Sequence, residues 1–213
     1  MATGKTLVPL PEPDRIGTRP LESVIQDRRT RREFGGGALT LPNAGQLMWS
    51  AQGETGADGQ RAAPSAGGHW PLEICLVARR IDGLAAGAYT YLPADHSLRS
   101  GRVGDHGPAL AEAAIGEQPW LAQPAAIIVL GADVASMNDA FADQPPLGQR
   151  GFRYASMEVG HAAQNIYLQA EAQGLAVVLV AGFDDTMVTD LGLLAPHSPP
   201  LALLAVGGRK EDT

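Results

Sequence analysis

RYASMEVGHAAQNIYLQAEAQ, residues 153–173, is the stretch on which the fold turns. Ala155, Val159, Ala162, Ala163, Ile166 and Ala170 recur at three- and four-residue spacing. They form one apolar stripe, which predicts a long amphipathic helix. Gly174 follows as its stop. Gly160, Ala162 and Ala163 are small enough to let another helix approach closely, and His161 reads as a packed or hydrogen-bonded residue within the helix. Residues 176–180 are apolar without a break and predict a buried strand, after which Asp184 is placed to cap a short helix through Leu191.

Working outward, Pro20 suits the first turn of a helix reaching about Arg29. A second helix is predicted over 40–52, where Ala44, Leu47, Met48 and Ala51 share a face and Gly53 ends it. Residues 53–68 read as loop and 110–115 as helix. Strands are predicted over 72–79, 88–91, 125–130 and 201–206. Residues 1–19, with Pro9, Pro11, Pro13 and Gly17, form an extended arm. Helices and strands are mixed, without repeats or a low-complexity linker, so residues 20–213 read as a single α+β domain.

The chain has 213 residues, 45% of them hydrophobic and 18% charged, with a formal net charge of -7. That composition supplies a core and argues against a nucleic-acid or membrane-surface partner, both of which favour a basic face. Cys75 is the one cysteine, so no intrachain disulfide exists; it lies in an apolar run and reads as a small core residue. No apolar stretch has membrane-spanning length, and the first residues lack a signal peptide's apolar segment. The cytoplasm is the expected compartment.

Against this acidic background stands Asp27-Arg28-Arg29-Thr30-Arg31-Arg32-Glu33-Phe34. Short charge runs are often solvated faces. A guanidinium, however, matches phosphate oxygens with a planar fork and stays charged at every relevant pH, so a bound phosphate is the chemical alternative. Thr3-Gly4-Lys5-Thr6 lacks the upstream glycine and preceding strand of a P-loop. The five histidines show no metal-ligand spacing, and Ser65 is in no Gly-x-Ser-x-Gly elbow. Two loops remain. In residues 63–68, small residues and a proline let backbone approach a flat ligand. Residues 180–184 leave a buried strand and enter a helix, as an ordinary β-α turn also does.

The order of these pieces is more specific than any one of them. Arg-Arg-Thr-x-Arg-x-Phe comes first, Ala-Pro-Ser-Ala-Gly about thirty residues later, then the long helix, Gly-Phe-Asp and a final apolar strand ending Gly-Gly-Arg-Lys. From residue 20 onward this order resembles the FMN-dependent nitroreductase superfamily, and residues 63–73, 157–168 and 181–185 look closest to its SagB/ThcOx-type branch. The resemblance implies a homodimer with a four- or five-stranded, mostly antiparallel sheet surrounded by helices, completed by dimerisation, with FMN at the interface. By motif, Arg28, Arg29 and Thr30 hold the phosphate and Arg32 faces the pyrimidine edge. Pro64, Ser65, Ala66, Gly67 and Gly68 arrive from the partner chain. Val180, Ala181 and Gly182 lie along the isoalloxazine near N5, and Arg209, with Lys210 beside it, closes on the phosphate. His69 and Trp70 follow the partner's loop and are candidates for the substrate side.

The implied activity is hydride transfer through flavin N5, from NADH, NADPH or a substrate C–H to a small organic acceptor such as a nitroaromatic or quinone. No catalytic acid or base and no metal is required. A flavin-binding protein for storage or sensing is the rival from another class. Three positions depart from the family. Gly68 stands where many members have asparagine, and Ala181 where several have glutamate. Neither Lys5 nor Lys210 is followed by tyrosine, which speaks against azoline oxidation, since that branch uses a lysine–tyrosine pair.

Overall fold

The computed structural model describes residues 6–146 and 148–210; Thr3, Gly4 and Lys5 of the P-loop-like motif lie outside them. The apolar stripe folds as helix α5 (Gly151–Ala172), closed by Gly174 at a φ of 70°, a left-handed conformation natural to glycine. Ala155, Ala162, Ile166 and Ala170 are fully buried on its inner face. That face packs along α2 (Leu41–Gln52), which Thr40 caps through a reciprocal pair of hydrogen bonds with Asn43. Gly160 does not serve this contact, because it lies about 200° around the helix from Ala162 and faces open space. His161 is likewise exposed rather than packed.

Among the described residues, eight antiparallel strands form one sheet. They are β1 (Leu7–Pro9), β2 (Phe34–Gly35), β3 (Leu72–Ala78), β4 (Gly87–Leu92), β5 (Ser97–Val103), β6 (Ala126–Ala132), β7 (Leu175–Val180) and β8 (Pro200–Arg209). The order is β1-β5-β4-β3-β6-β8-β2, with β7 also paired to β8. The resemblance implied four or five strands. The excess comes partly from short pieces: the arm contributes three-residue β1, which pairs with β5, and the arginine-rich segment ends in two-residue β2, which pairs with β8.

Side chains alternate across the sheet. Ile74, Leu76, Ile128, Leu130, Ala202 and Leu204 face α2 and α5. Cys75, Val77, Ile127, Val129, Leu203 and Ala205 face the opposite layer, which includes α3 (Gly107–Ala113) and α6 (Asp185–Asp190). With both faces covered, the central strands read as unbroken apolar runs despite being antiparallel. Cys75 is 1% exposed, and burial pushes its thiol up to about 12. Asp184 caps α6 by accepting from the amides of Thr186 and Met187 at 2.9 and 3.0 Å. No helix among the described residues is long and apolar enough to cross a membrane.

Candidate functional site

Helix α1 (Leu21–Asp27) stops where the arginine cluster starts, with the amide of Arg28 donating back to the carbonyl of Val24. The chain then runs extended across the end of the sheet. The amide of Arg31 donates to the carbonyl of Val177 in β7 at 3.0 Å, and Phe34 is buried opposite Arg209 of β8. This anchoring fans successive side chains to different partners. The guanidinium of Arg28 lies 5.4 Å from the centroid of the Tyr167 ring. The hydroxyl of Thr30 is 3.4 Å from that of Tyr167, which accepts from the amide of Leu179 at 2.8 Å. Arg29 donates to the carbonyls of Gln26 and Arg28. Arg32 stacks over Trp120, 5.9 Å from its centroid.

One helical turn beyond Tyr167, on the same flank of α5, stands Glu171, 3% exposed. Its Oε2 receives Arg209 at 2.6 Å and Arg31 at 3.0 Å, and its Oε1 receives Arg19 at 3.3 Å. Burial opposes the charge of this carboxyl. The Arg209 hydrogen bond and charge, with those of Arg31 and Arg19, outweigh it and hold the group below its ordinary value. Arg19 is also paired with Asp27 at 2.6 Å. Three guanidiniums thus meet two carboxylates, leaving one positive charge, and Arg28 adds another. The guanidiniums of Arg28 and Arg32 make no hydrogen bond or ion pair among the described residues. Nε of Arg209 is buried without an acceptor. Donors left over in this way could hold an anion.

At the far end of β7, Val180 leads into the exposed residues Ala181 and Gly182. The turn is fixed from one side: the carbonyl of Gly182 accepts from Ile115, and Asp184 donates to Ala113. Among the described residues, a Cβ at Gly182 would meet only Ile115, at 4.0 Å. Gly208, next to Arg209, pairs with Leu175 at the start of β7, and Leu203 pairs with Val180 at its end. The backbones of Arg209 and Gly182 therefore lie toward opposite ends of β7, which is about 17 Å long at the usual rise.

The loop 64–68 is built elsewhere. Its residues Gly67 and Gly68, with Trp70 just beyond, take positive φ angles of 60°, 68° and 53°. Ser65 and Ala66 donate to Glu158 of α5 at 2.9 and 3.0 Å. His69 meets the edge of Phe141 at 5.3 Å, and Arg61 lies over Trp70 at 5.2 Å. Pro64, Gly67, Gly68 and His69 are exposed, and nothing lies within 4 Å of a Cβ placed on Gly68. Glu158 precedes Glu171 by thirteen residues, about 20 Å along a helix axis. One chain brings Arg28, Thr30 and Arg209 to the Tyr167–Glu171 part of α5 but ties loop 64–68 to Glu158, farther back along the same helix. Sequence reasoning missed Tyr167, Glu171, Glu158 and Trp120. The two glutamates were visible as acidic breaks beside the apolar stripe; nothing marked Trp120.

A family model described as the nitroreductase family matches residues 25–208. A protein of Methanocaldococcus jannaschii, named as a candidate nitroreductase, is 35% identical over 191 residues, covering 90% of this chain and 92% of that protein. The crystal structure of a candidate nitroreductase from Ralstonia eutropha superposes with a TM-score of 0.82 at 24% identity, over 100% of this chain and 93% of that one. Another, from Anabaena variabilis, gives a TM-score of 0.74 at 24% identity and covers 89% of this chain but 38% of that one. The chain thus spans well under half the Anabaena protein's length, and at these identities the two structures speak to fold alone.

Proposed function

Because the chain belongs to the nitroreductase family, we propose that it is a homodimeric, FMN-dependent oxidoreductase, with NADH or NADPH as electron donor and a small organic acceptor such as a nitroaromatic or quinone. The observation that carries this reading is the surplus of donors beside Tyr167 and Glu171: Arg28 without a polar partner and Arg209 with a buried, unpartnered Nε. FMN, when bound, supplies the centre that takes up and releases hydride. The chain's own residues bind and orient. Arg28, Thr30 and Arg209, with Arg29 beside them, hold the phosphate. Arg32, set against Trp120, faces the pyrimidine edge, where a fixed cation favours the anionic reduced ring. The exposed backbone of Ala181 and Gly182 meets the ring near N5.

The distance between loop 64–68 and the arginine cluster supports a shared site, in which Pro64, Ser65, Ala66, Gly67 and Gly68 complete the partner's flavin pocket. His69 and Trp70 then face the substrate, and donor and acceptor use one pocket in turn. Within the family, the motif order favours the SagB/ThcOx-type branch, while the missing lysine–tyrosine pair argues against azoline oxidation.

The purified protein should be yellow and release FMN on denaturation. It should oxidise NADH or NADPH when a nitroaromatic or quinone is supplied. Released FAD, or no bound flavin after incubation with excess FMN, overturns the cofactor assignment. FMN binding without turnover over a panel of acceptors favours a storage or sensing role. A flavin-loaded monomer in sedimentation refutes the shared site.

A further inference from the structure

Glu158 is 2% exposed on the inner flank of α5, between Ala155 and Ala162. A carboxyl buried this deeply ordinarily has a cation against it. Among the described residues Glu158 forms no salt bridge; Arg61, His69 and His161 act on its charge only from beyond contact. Its contacts go to the loop instead. Oε1 accepts from the hydroxyl of Ser65 at 2.9 Å and from the amide of Ala66 at 3.0 Å. The Ser65 oxygen in turn accepts from the amide of Trp70 at 2.9 Å. One carboxylate oxygen therefore ties both ends of the segment 65–70, while Oε2 is buried without a partner.

The segment needs such a tie. Gly67 and Gly68 enter the left-handed region freely, but Trp70 at a φ of 53° does not. A bulky residue held there persists only where its surroundings over-determine it. The relay from Trp70 through Ser65 to Glu158 is that constraint. It leaves Pro64, Gly67, Gly68 and His69 facing outward. An apolar residue at 158 would suit the helix as well, so the carboxyl answers to the loop rather than to the core.

We propose that Glu158 is the positioning residue of this loop: its Oε1, through Ser65 and Ala66, sets the shape in which residues 64–68 meet the partner's flavin, and it acts as a hydrogen-bond acceptor, not as a charge. The flavin half of the statement rests on the function proposed above; the loop half does not.

Amide hydrogen exchange in the flavin-free protein reads the loop, and titration with FMN reads its consequence. Glu158→Ala should speed exchange of the Ala66 and Trp70 amides roughly tenfold while β7 stays protected, and should weaken FMN binding by a similar factor, the scale of a lost hydrogen bond. Glu158→Gln keeps an acceptor in place and should return both readouts to within about threefold of wild type. If Glu158→Ala fails to fold, Ser65→Ala serves instead. It keeps the carboxyl and should loosen the Trp70 amide alone among the two. Unchanged loop exchange in these variants overturns the proposal, and so does a loosened loop with unaltered FMN affinity. Failure of Glu158→Gln to restore exchange overturns the acceptor role. Wild-type protein that binds no FMN defeats the functional reading instead, and the exchange data still decide the role of Glu158 in the loop.

Discussion

Glu158 and Glu171 lie on one helix and are buried almost equally, at 2% and 3% exposure. Their surroundings give them opposite character. Burial raises the Glu158 carboxyl above its ordinary value, and its hydrogen bonds to Ala66 and Ser65 only moderate that rise. Around Glu171 the same burial is overcome by Arg209, Arg31 and Arg19. Depth alone therefore says little about a carboxyl; the charge of its donors decides. The Glu171 end gathers cations and suits a phosphate. The Glu158 end organises a loop with hydrogen bonds.

The comparison breaks most visibly at Glu171. Glu171→Ala strands the guanidiniums of Arg31 and Arg209 and leaves Arg19 only Asp27, and chemical denaturation should show a loss of about 3 kcal/mol, the low end for a broken buried pair because each arginine is partly exposed. A loss below about 1 kcal/mol would mean that these ion pairs behave as surface pairs. Next in size, Arg28→Ala should weaken FMN binding by about 1.5–3 kcal/mol. Arg31→Ala should cost FMN binding much less, since Arg31 already serves Glu171. Titration of apo-protein separates them, and equal losses would reduce the cluster to a general basic patch.

At the other end, Trp70→Ala keeps the backbone amide that binds Ser65. It should change KM for the acceptor severalfold while FMN affinity and dimerisation stay within about 0.5 kcal/mol of wild type. A looser dimer and released flavin would instead make Trp70 an interface anchor. The smallest effect is in pH. Glu171 is depressed below 4.5, so its contribution is present above that pH and lost as pH falls through its folded value. Glu158 is raised above 4.5, so its contribution is present below that pH and lost as pH rises through its folded value. Relative to wild type, Glu171→Gln should therefore gain ground as the pH falls below 4.5, and Glu158→Gln should gain ground as the pH rises above 4.5. Parallel pH profiles for the two variants would erase the contrast.

Where apolar periodicity was strong, the chain declared its fold. The long helix, the capped helix after Thr40 and the apolar strands lie where their patterns place them to within a few residues. The strand Ser97–Val103 escaped because its sequence, SLRSGRV, carries arginines and a glycine and borders solvent over half its length. Helix α4 (Val134–Ala140) escaped for lack of an apolar stripe. The helix expected over 110–115 starts earlier, at Gly107, and ends at Ala113, leaving Ile115 65% exposed to brace Gly182. The phosphate-type arginines were legible as a charge anomaly. Their division of labour was not, because a guanidinium that serves a buried carboxylate and one that awaits a ligand look identical in a string of letters.

The single thiol at the sheet centre has a practical consequence. With a pKa of about 12, Cys75 holds about one part in ten thousand of reactive thiolate at pH 8, and Leu76, Val77 and Val129 around it are at most 1% exposed. A disulfide-exchange reagent added to the native protein meets no nucleophile until β3 separates from β4 and β6. The rate at which colour develops then measures how often the middle of the sheet comes apart. With no second cysteine to complicate the trace, the chain carries its own clock for global opening.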